Sequence, residues 1–278
     1  MLVTSSALML ALVPGPAPVQ ATGPEGQPQI TRATVPAAGG SLLPLVEFVP
    51  EGGTPTWPAT VAESSGYTRS STTAEVLDFL GSLDPLPRGA WLERRVIGQT
   101  SEGQDLVAVT VTAPGSVEEV AARAAVLVNA NIHGGEIEGK VAVQILLREF
   151  AVGYHRDLPE RLRLTFVPVY NADGNDRIAR TNRVTQNGPD GGVGERPNAM
   201  GLDLNRDFVK VESPEARALT GLVNELRPIA FMDLHTTNGS YHGYDLTSSP
   251  SLSPNANPAL DAYVRGALLP GVRERLRL

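Results

Sequence analysis

The chain has 278 residues, 41% hydrophobic and 19% charged, enough to bury a sizeable core as one large domain or two small ones. A formal net charge of -7 with no basic cluster argues against nucleic acid as a partner. The absence of cysteine excludes a disulfide framework, a thiolate metal site and a cysteine nucleophile.

Residues 1–21 read as a secretory signal, which implies a secreted or periplasmic protein. Ala7 to Val13 form its apolar core and Val19-Gln20-Ala21 offers small residues for cleavage, although no basic residue precedes them. The apolar run is too short to span a bilayer. Residues 22–65, rich in Pro, Gly, Thr and Ala, read as a linker or arm, and the domain proper is expected over 66–278.

Residues 73–83 carry Val76, Leu77, Leu80 and Leu83 at helical spacing, with Thr72 or Thr73 as the cap. Residues 91–97 and 106–111 alternate as paired strands joined by a glycine-containing turn. The pattern then becomes strand, loop, helix. Residues 124–130 form a near-continuous apolar run, as a parallel strand covered on both faces requires. Residues 138–150 predict a helix with Val141, Ile145 and Leu146 inward and Arg148 and Glu149 outward. His155, before Arg156-Asp157, reads as part of a solvated turn. A second buried strand is expected at 164–169. Ser213-Pro214-Glu215 opens a helix to about Leu226, with a capping hydroxyl, a first-turn proline and an acid at the positive dipole end. It feeds a third strand at 229–234, and Asn257-Pro258 opens another helix. The alternation predicts an α/β fold, a mixed and mostly parallel central sheet flanked by helices. Ligands in such a fold bind outside the carboxyl ends of strands.

Two of the four histidines follow strand ends. In His133-Gly134-Gly135-Glu136 an imidazole and a carboxylate three residues apart reach one metal if a strand ends and a helix begins between them. His235, after Phe231-Met232-Asp233-Leu234, supplies a third ligand and leaves a fourth position open, the arrangement of catalytic zinc. Alone, His133 would be a loop histidine and Glu136 a first-turn helix acid. Glu138 should point away as a surface charge, and His242 sits in a loop that could line a pocket.

These motifs, with Asn171-Ala172-Asp173-Gly174 and Asp203-Leu204-Asn205-Arg206, resemble those of the zinc metallocarboxypeptidases of the carboxypeptidase A type. The resemblance runs from about Tyr67 to the C-terminus. It implies one zinc ion on His133, Glu136 and His235, with Asp203 orienting the first histidine. Asn205 and Arg206 would hold the free C-terminal carboxylate of a peptide substrate, for which a guanidinium fork is suited. Arg180, in Arg180-Thr181-Asn182, would stabilise the oxyanion, with Arg177 and Arg183 as competitors. Residues 185–200 read as an insertion-like loop without an evident purpose. The family's general-base glutamate would lie beyond residue 278, since Glu274 sits in a charged helix end; the expectation is a C-terminally truncated member. The implied function is metal-activated hydrolysis of the C-terminal peptide bond. The alternatives are an amidohydrolase of the same fold acting on N-acyl amino acids or cell-wall peptides, and a non-catalytic zinc-dependent binding domain.

Overall fold

The computed structural model describes residues 29–34, 44–49, 57–84, 91–240 and 246–276. The expected secretory signal and His242 lie outside the described residues. Among those described, no helix is long and apolar enough to cross a membrane. One compact unit is Pro14–Pro58, where strands β1 (Gln29–Thr34) and β2 (Pro44–Val49) pair antiparallel. This antiparallel pair lies within residues 22–65, the stretch expected to be a linker or arm, and Ile30, Thr31, Val46 and Phe48 are all strong strand formers.

The other unit holds Ala59–Leu278. It opens with helices α1 (Val61–Ser64) and α2 (Thr73–Ser82), each closed at its N-terminus by a reciprocal Thr–Glu capping box, Thr60 with Glu63 and Thr72 with Glu75. Strands β3 (Trp91–Gln99) and β4 (Asp105–Thr112) follow, then α3 (Val117–Ala122), β5 (Ala124–Ala130) and α4 (Glu138–Ala151). After α5 (Asp157–Arg161) come β6 (Leu162–Val167), α6 (Ala172–Asp176), α7 (Pro214–Leu226) and β7 (Ala230–Leu234). Helix α8 (Pro258–Tyr263) runs through a π-turn into α9 (Leu269–Leu276). The second buried strand lies two residues earlier than its expected 164–169, because Pro168 has no amide to continue the ladder.

The five strands are ordered β3-β4-β6-β5-β7. Strand β5 is parallel to both β6 and β7, whereas β3–β4 and β4–β6 are antiparallel. The parallel part is therefore the half that carries the site. Alternate residues of β5 feed two cores. Val126 and Val128 pack with Val76 and Leu80 of α2 and with Leu147 and Phe150 of α4. Ala125 and Leu127 pack with Leu219, Leu222 and Leu226 of α7. A strand covered on both faces is expected to be near-continuously apolar, and Asn129 is the one polar residue of this strand.

Helix α4 departs from expectation. Its covered positions are Ala142, Val143, Leu146, Leu147 and Phe150, while Val141 and Ile145 are half-buried. Arg148 and Glu149 are buried as well, not outward. The reason is chain packed on the far side: Arg148 makes a two-pronged contact with Glu63 of α1 at 2.7 and 2.8 Å. Glu149 takes a 2.7 Å contact from His155 Nε2, so the turn expected to be solvated is bonded to the helix.

Two contacts of α4 bear on the site. A Cβ at Gly139 would lie 2.7 Å from Leu234 Cβ, so the missing side chain lets the helix touch the end of β7. One residue on, the fully buried Lys140 ammonium donates to Ser70 Oγ, the Ser71 carbonyl and Asn175 Oδ1 at 3.1, 2.7 and 2.5 Å. Burial lowers its pKa from 10.5 to about 7, against the attraction of Asp176, Glu75 and Glu138. Between those values the unfolded chain holds a proton the folded chain has released, so stability rises with pH. The stability difference between wild type and Lys140→Met, from urea unfolding, should therefore grow in favour of wild type from pH 7 to 9, by up to about 1.4 kcal/mol per unit. A difference independent of pH would show that the folded lysine keeps its proton.

Candidate metal centre

Ala130 and Leu234 are register partners at the ends of β5 and β7, so the segments that leave the two strands start side by side. This is the crevice where the chain order reverses: β6 lies on one side of β5 and β7 on the other. Asn131, at φ 60, turns the chain out of β5, and its side-chain amide donates to the carbonyls of His133, Gly134 and Glu136 at 3.1–3.2 Å. Gly134 lies on the backbone of Gly174, where a Cβ would come within 2.3 Å of the carbonyl carbon. The turn is thus wound around one amide and pressed flat against α6.

The winding brings His133 Nδ1 to 2.8 Å from Glu136 Oε1. From the other strand, His235 Nδ1 reaches Glu136 Oε2 at 2.9 Å. All three side chains are buried, and one potential ligand atom from each lies within 4.8 Å of the others. The outer nitrogens are held too. His133 Nε2 donates to Asp203 Oδ1 at 3.1 Å and His235 Nε2 to Asp233 Oδ2 at 2.9 Å, while Asn129 Nδ2 steadies Asp233 Oδ1 at 2.9 Å. A carboxylate on Nε2 fixes the tautomer that leaves Nδ1 to a metal.

The electrostatics agree. Burial would raise the Glu136 pKa, but hydrogen bonds and charge from the two imidazoles hold it far below the usual carboxylate range. Burial would lower that of His235, yet Asp233 and Glu136 together lift it to about 10. Two imidazoles and a carboxylate are the donor set of a catalytic zinc site, and the proton between His235 Nδ1 and Glu136 stands where a dication would go.

The other expected residues divide. Asp203 caps a short 3-10 turn, Leu204–Arg206, which puts half-buried Asn205 and exposed Arg206 directly beyond the His133 partner. Arg180 is exposed. Arg177 is engaged at the surface by Glu102 and Glu195, and Arg183 donates to Glu136 itself. Glu138 is exposed, as expected of a surface charge, and also accepts from Thr236 Oγ1 beside the third ligand. Glu274 is exposed on α9.

Sequence reasoning missed two residues. Asp233 was legible, because strand alternation puts residues 233 and 235 on one side of β7. Arg196 was not, since it lies in the loop that read as an insertion. Its guanidinium grips Asp203 Oδ2 through Nε and Nη2 at 3.2 and 2.9 Å and brings Nη1 to 3.5 Å from His133 Nδ1. The loop is held there by Asn171, whose side chain donates to the carbonyls of Arg196 and Pro197 at 3.1 Å each.

Two histidines and a carboxylate at the carboxyl ends of adjacent parallel strands form a group that could hold one metal ion. The chain belongs to the zinc carboxypeptidase family (Peptidase_M14), which matches residues 91–258, more than half its length. It is 30% identical over 184 residues to carboxypeptidase D of Drosophila melanogaster, covering 61% of this chain and 12% of that protein. To carboxypeptidase Z of Mus musculus it is 32% identical over 123 residues, covering 42% and 18%. The chain thus spans less than a fifth of either relative. Among solved structures, carboxypeptidase A from Helicoverpa armigera shares the fold with a TM-score of 0.53 at 15% identity, over 84% of this chain and 64% of that one.

Metal binding should displace the proton held at His235, so at pH 7 each zinc ion taken up releases at least one proton. Calorimetric titration in two buffers of different ionisation enthalpy measures this directly. Asp233→Asn should weaken zinc about 10- to 100-fold, and His235→Ala by more. Unchanged affinity in His235→Ala would remove it from the ligand set.

Proposed function

We propose that this protein is a zinc-dependent carboxypeptidase that removes C-terminal residues from peptides bearing a free terminal carboxylate. The observation that carries the proposal is the convergence of His133 Nδ1, His235 Nδ1 and Glu136, beside an Asp203-Leu204-Asn205-Arg206 turn tied to the same imidazole. A zinc ion held by these three residues supplies Lewis acidity, polarising the scissile carbonyl and acidifying water.

The chain's own groups do the rest. Arg206, exposed and anchored through Nη1 to the Asn205 carbonyl at 3.0 Å, offers its fork to the terminal carboxylate, with the Asn205 amide beside it. Charge developing on the carbonyl oxygen needs a preorganised cation. By resemblance this is Arg180, which is exposed; we assign it to Arg196, whose Nη1 lies 3.5 Å from His133 Nδ1 and which, unlike Arg183, does not bond the Glu136 carboxylate. Arg196→Lys should then lower kcat more than Arg180→Lys does. Asp203 and Asp233 keep the Nε2 protons in place.

The attacking water must also lose a proton. Of the acids around the centre, Glu136 is assigned as a ligand, Asp203 and Asp233 each hold an imidazole, and Glu138 accepts from Thr236 Oγ1. By resemblance the general base is a further glutamate, a part that none of these acids is placed to take. Such a group contributes about 100- to 10,000-fold to rate. The expected secretory signal over residues 1–21 supports a reaction outside the cytoplasm.

The carboxylate reading is tested by binding. With zinc present, Arg206→Lys should weaken free-acid peptides much more than the same peptides as C-terminal amides, since an ammonium lacks the planar fork. Equal losses for acid and amide would move the substrate class away from C-terminal carboxylates. Activity is tested by zinc-dependent release of C-terminal residues from free-acid peptides, with wild type beside His235→Ala. Equal release by both would overturn the zinc-dependent reading.

A further inference from the structure

None of the steps above uses Arg183, although its guanidinium lies inside the centre. Residue 183 adopts φ 51, and its buried side chain runs flat across Gly135, where a Cβ would lie 2.2 Å from Arg183 Cδ. Nη2 donates to Glu136 Oε1 at 3.0 Å and to Asn238 Oδ1 at 2.9 Å, with the Thr237 carbonyl at 3.4 Å. Nε donates to Gln186 Oε1, and the Gln186 amide donates in turn to the Thr237 carbonyl. Thr185 Oγ1 donates to the Asn238 carbonyl at 2.6 Å. Residues 183–186 therefore form a strap bonded across residues 237–238, the segment that directly follows the third ligand.

The carboxylate of Glu136 has two kinds of partner. The imidazole Nδ1 atoms give up their place at Oε1 and Oε2 when a cation arrives between the three side chains. Two other donors have no such competitor: Arg183 Nη2 on Oε1 and the Thr236 amide on Oε2 at 3.1 Å. These two hold the plane of the carboxylate from outside the space between the three side chains. Arg183 Nε and Nη2 together meet four acceptors, so the guanidinium is tied at once to the strap and to the carboxylate.

We propose that Arg183 is the positioning residue of the metal-binding carboxylate, and that the strap it anchors locks Glu136 and the loop after His235 into one unit on which metal retention depends. The inference rests on the zinc reading above, so the experiment keeps the two apart. Zinc affinity is measured by chelator competition for the wild-type chain, Arg183→Lys, Arg183→Gln and His235→Ala. The absorption spectrum of the cobalt(II)-loaded proteins and the amide exchange of residues 236–239 are recorded alongside. Arg183→Lys and Arg183→Gln should each bind zinc about 10- to 100-fold more weakly, the cost typical of losing a partner of a metal ligand. Their cobalt spectra should shift, and exchange at 236–239 should quicken. If Arg183→Gln fails to fold, Arg183→Lys, which keeps the charge and loses the fork, decides alone. Wild-type affinity and spectrum in Arg183→Lys, with zinc lost in His235→Ala, would overturn the positioning role and leave the zinc reading standing. Wild-type affinity in His235→Ala would overturn both.

Discussion

A carboxylate with no solvent contact must be surrounded by donors, because an ionised group without them costs several kcal/mol to bury. Glu136 is such a carboxylate, and it faces two imidazoles, one guanidinium and one backbone amide. Those donors come from widely separated parts of the chain, at residues 133, 183 and 235–236. The fold around the centre is an answer to that demand. Parallel pairing of β5 with β7 delivers the two histidines, and the loop between α6 and the 3-10 turn delivers the arginines.

The close approaches are set by what is absent. Gly139 lets α4 touch Leu234, Gly134 lets the ligand turn lie on Gly174, and Gly135 leaves room for the Arg183 stem. Polar knots then pin the same pieces from behind. Lys140 binds the lead into α2 and the α6 turn together, and Asp173 accepts from Thr100 and Gln104 to hold the β3–β4 turn against that same turn. In a dry interior each such bond is costly to lose, so the knots confine the backbone more than their number suggests.

Much of this was legible in the sequence. The apolar run of β5, the Ser213-Pro214 cap and the two histidines at strand ends announce themselves through local rules of burial, capping and alternation. The ligand trio follows from residue type and strand-end position, and the partnership of His133 with Asp203 came through resemblance. What local rules could not reach depends on what packs against what. Arg148 and Glu149 read as solvent-facing because nothing within their own helix reveals that α1 and His155 will cover them. Arg196 and Arg183 lie in loops without periodicity, and their contacts span 63 and 47 positions. Position in a loop carries no address until the loop is folded.

The pairing of Ala130 with Leu234 has one more consequence. Side chains along a strand alternate between faces, so slipping β7 by one residue against β5 would carry His235 and Asp233 together to the opposite side of the sheet. Half a site does not survive such an error; the ligand and its orienting acid leave as a pair. A metal ion, which needs its donors within a few tenths of an ångström, would then find nothing to bind on a misregistered chain. Register and site are therefore one constraint: the pairing of Ala130 with Leu234 is what keeps His235 within reach of Glu136.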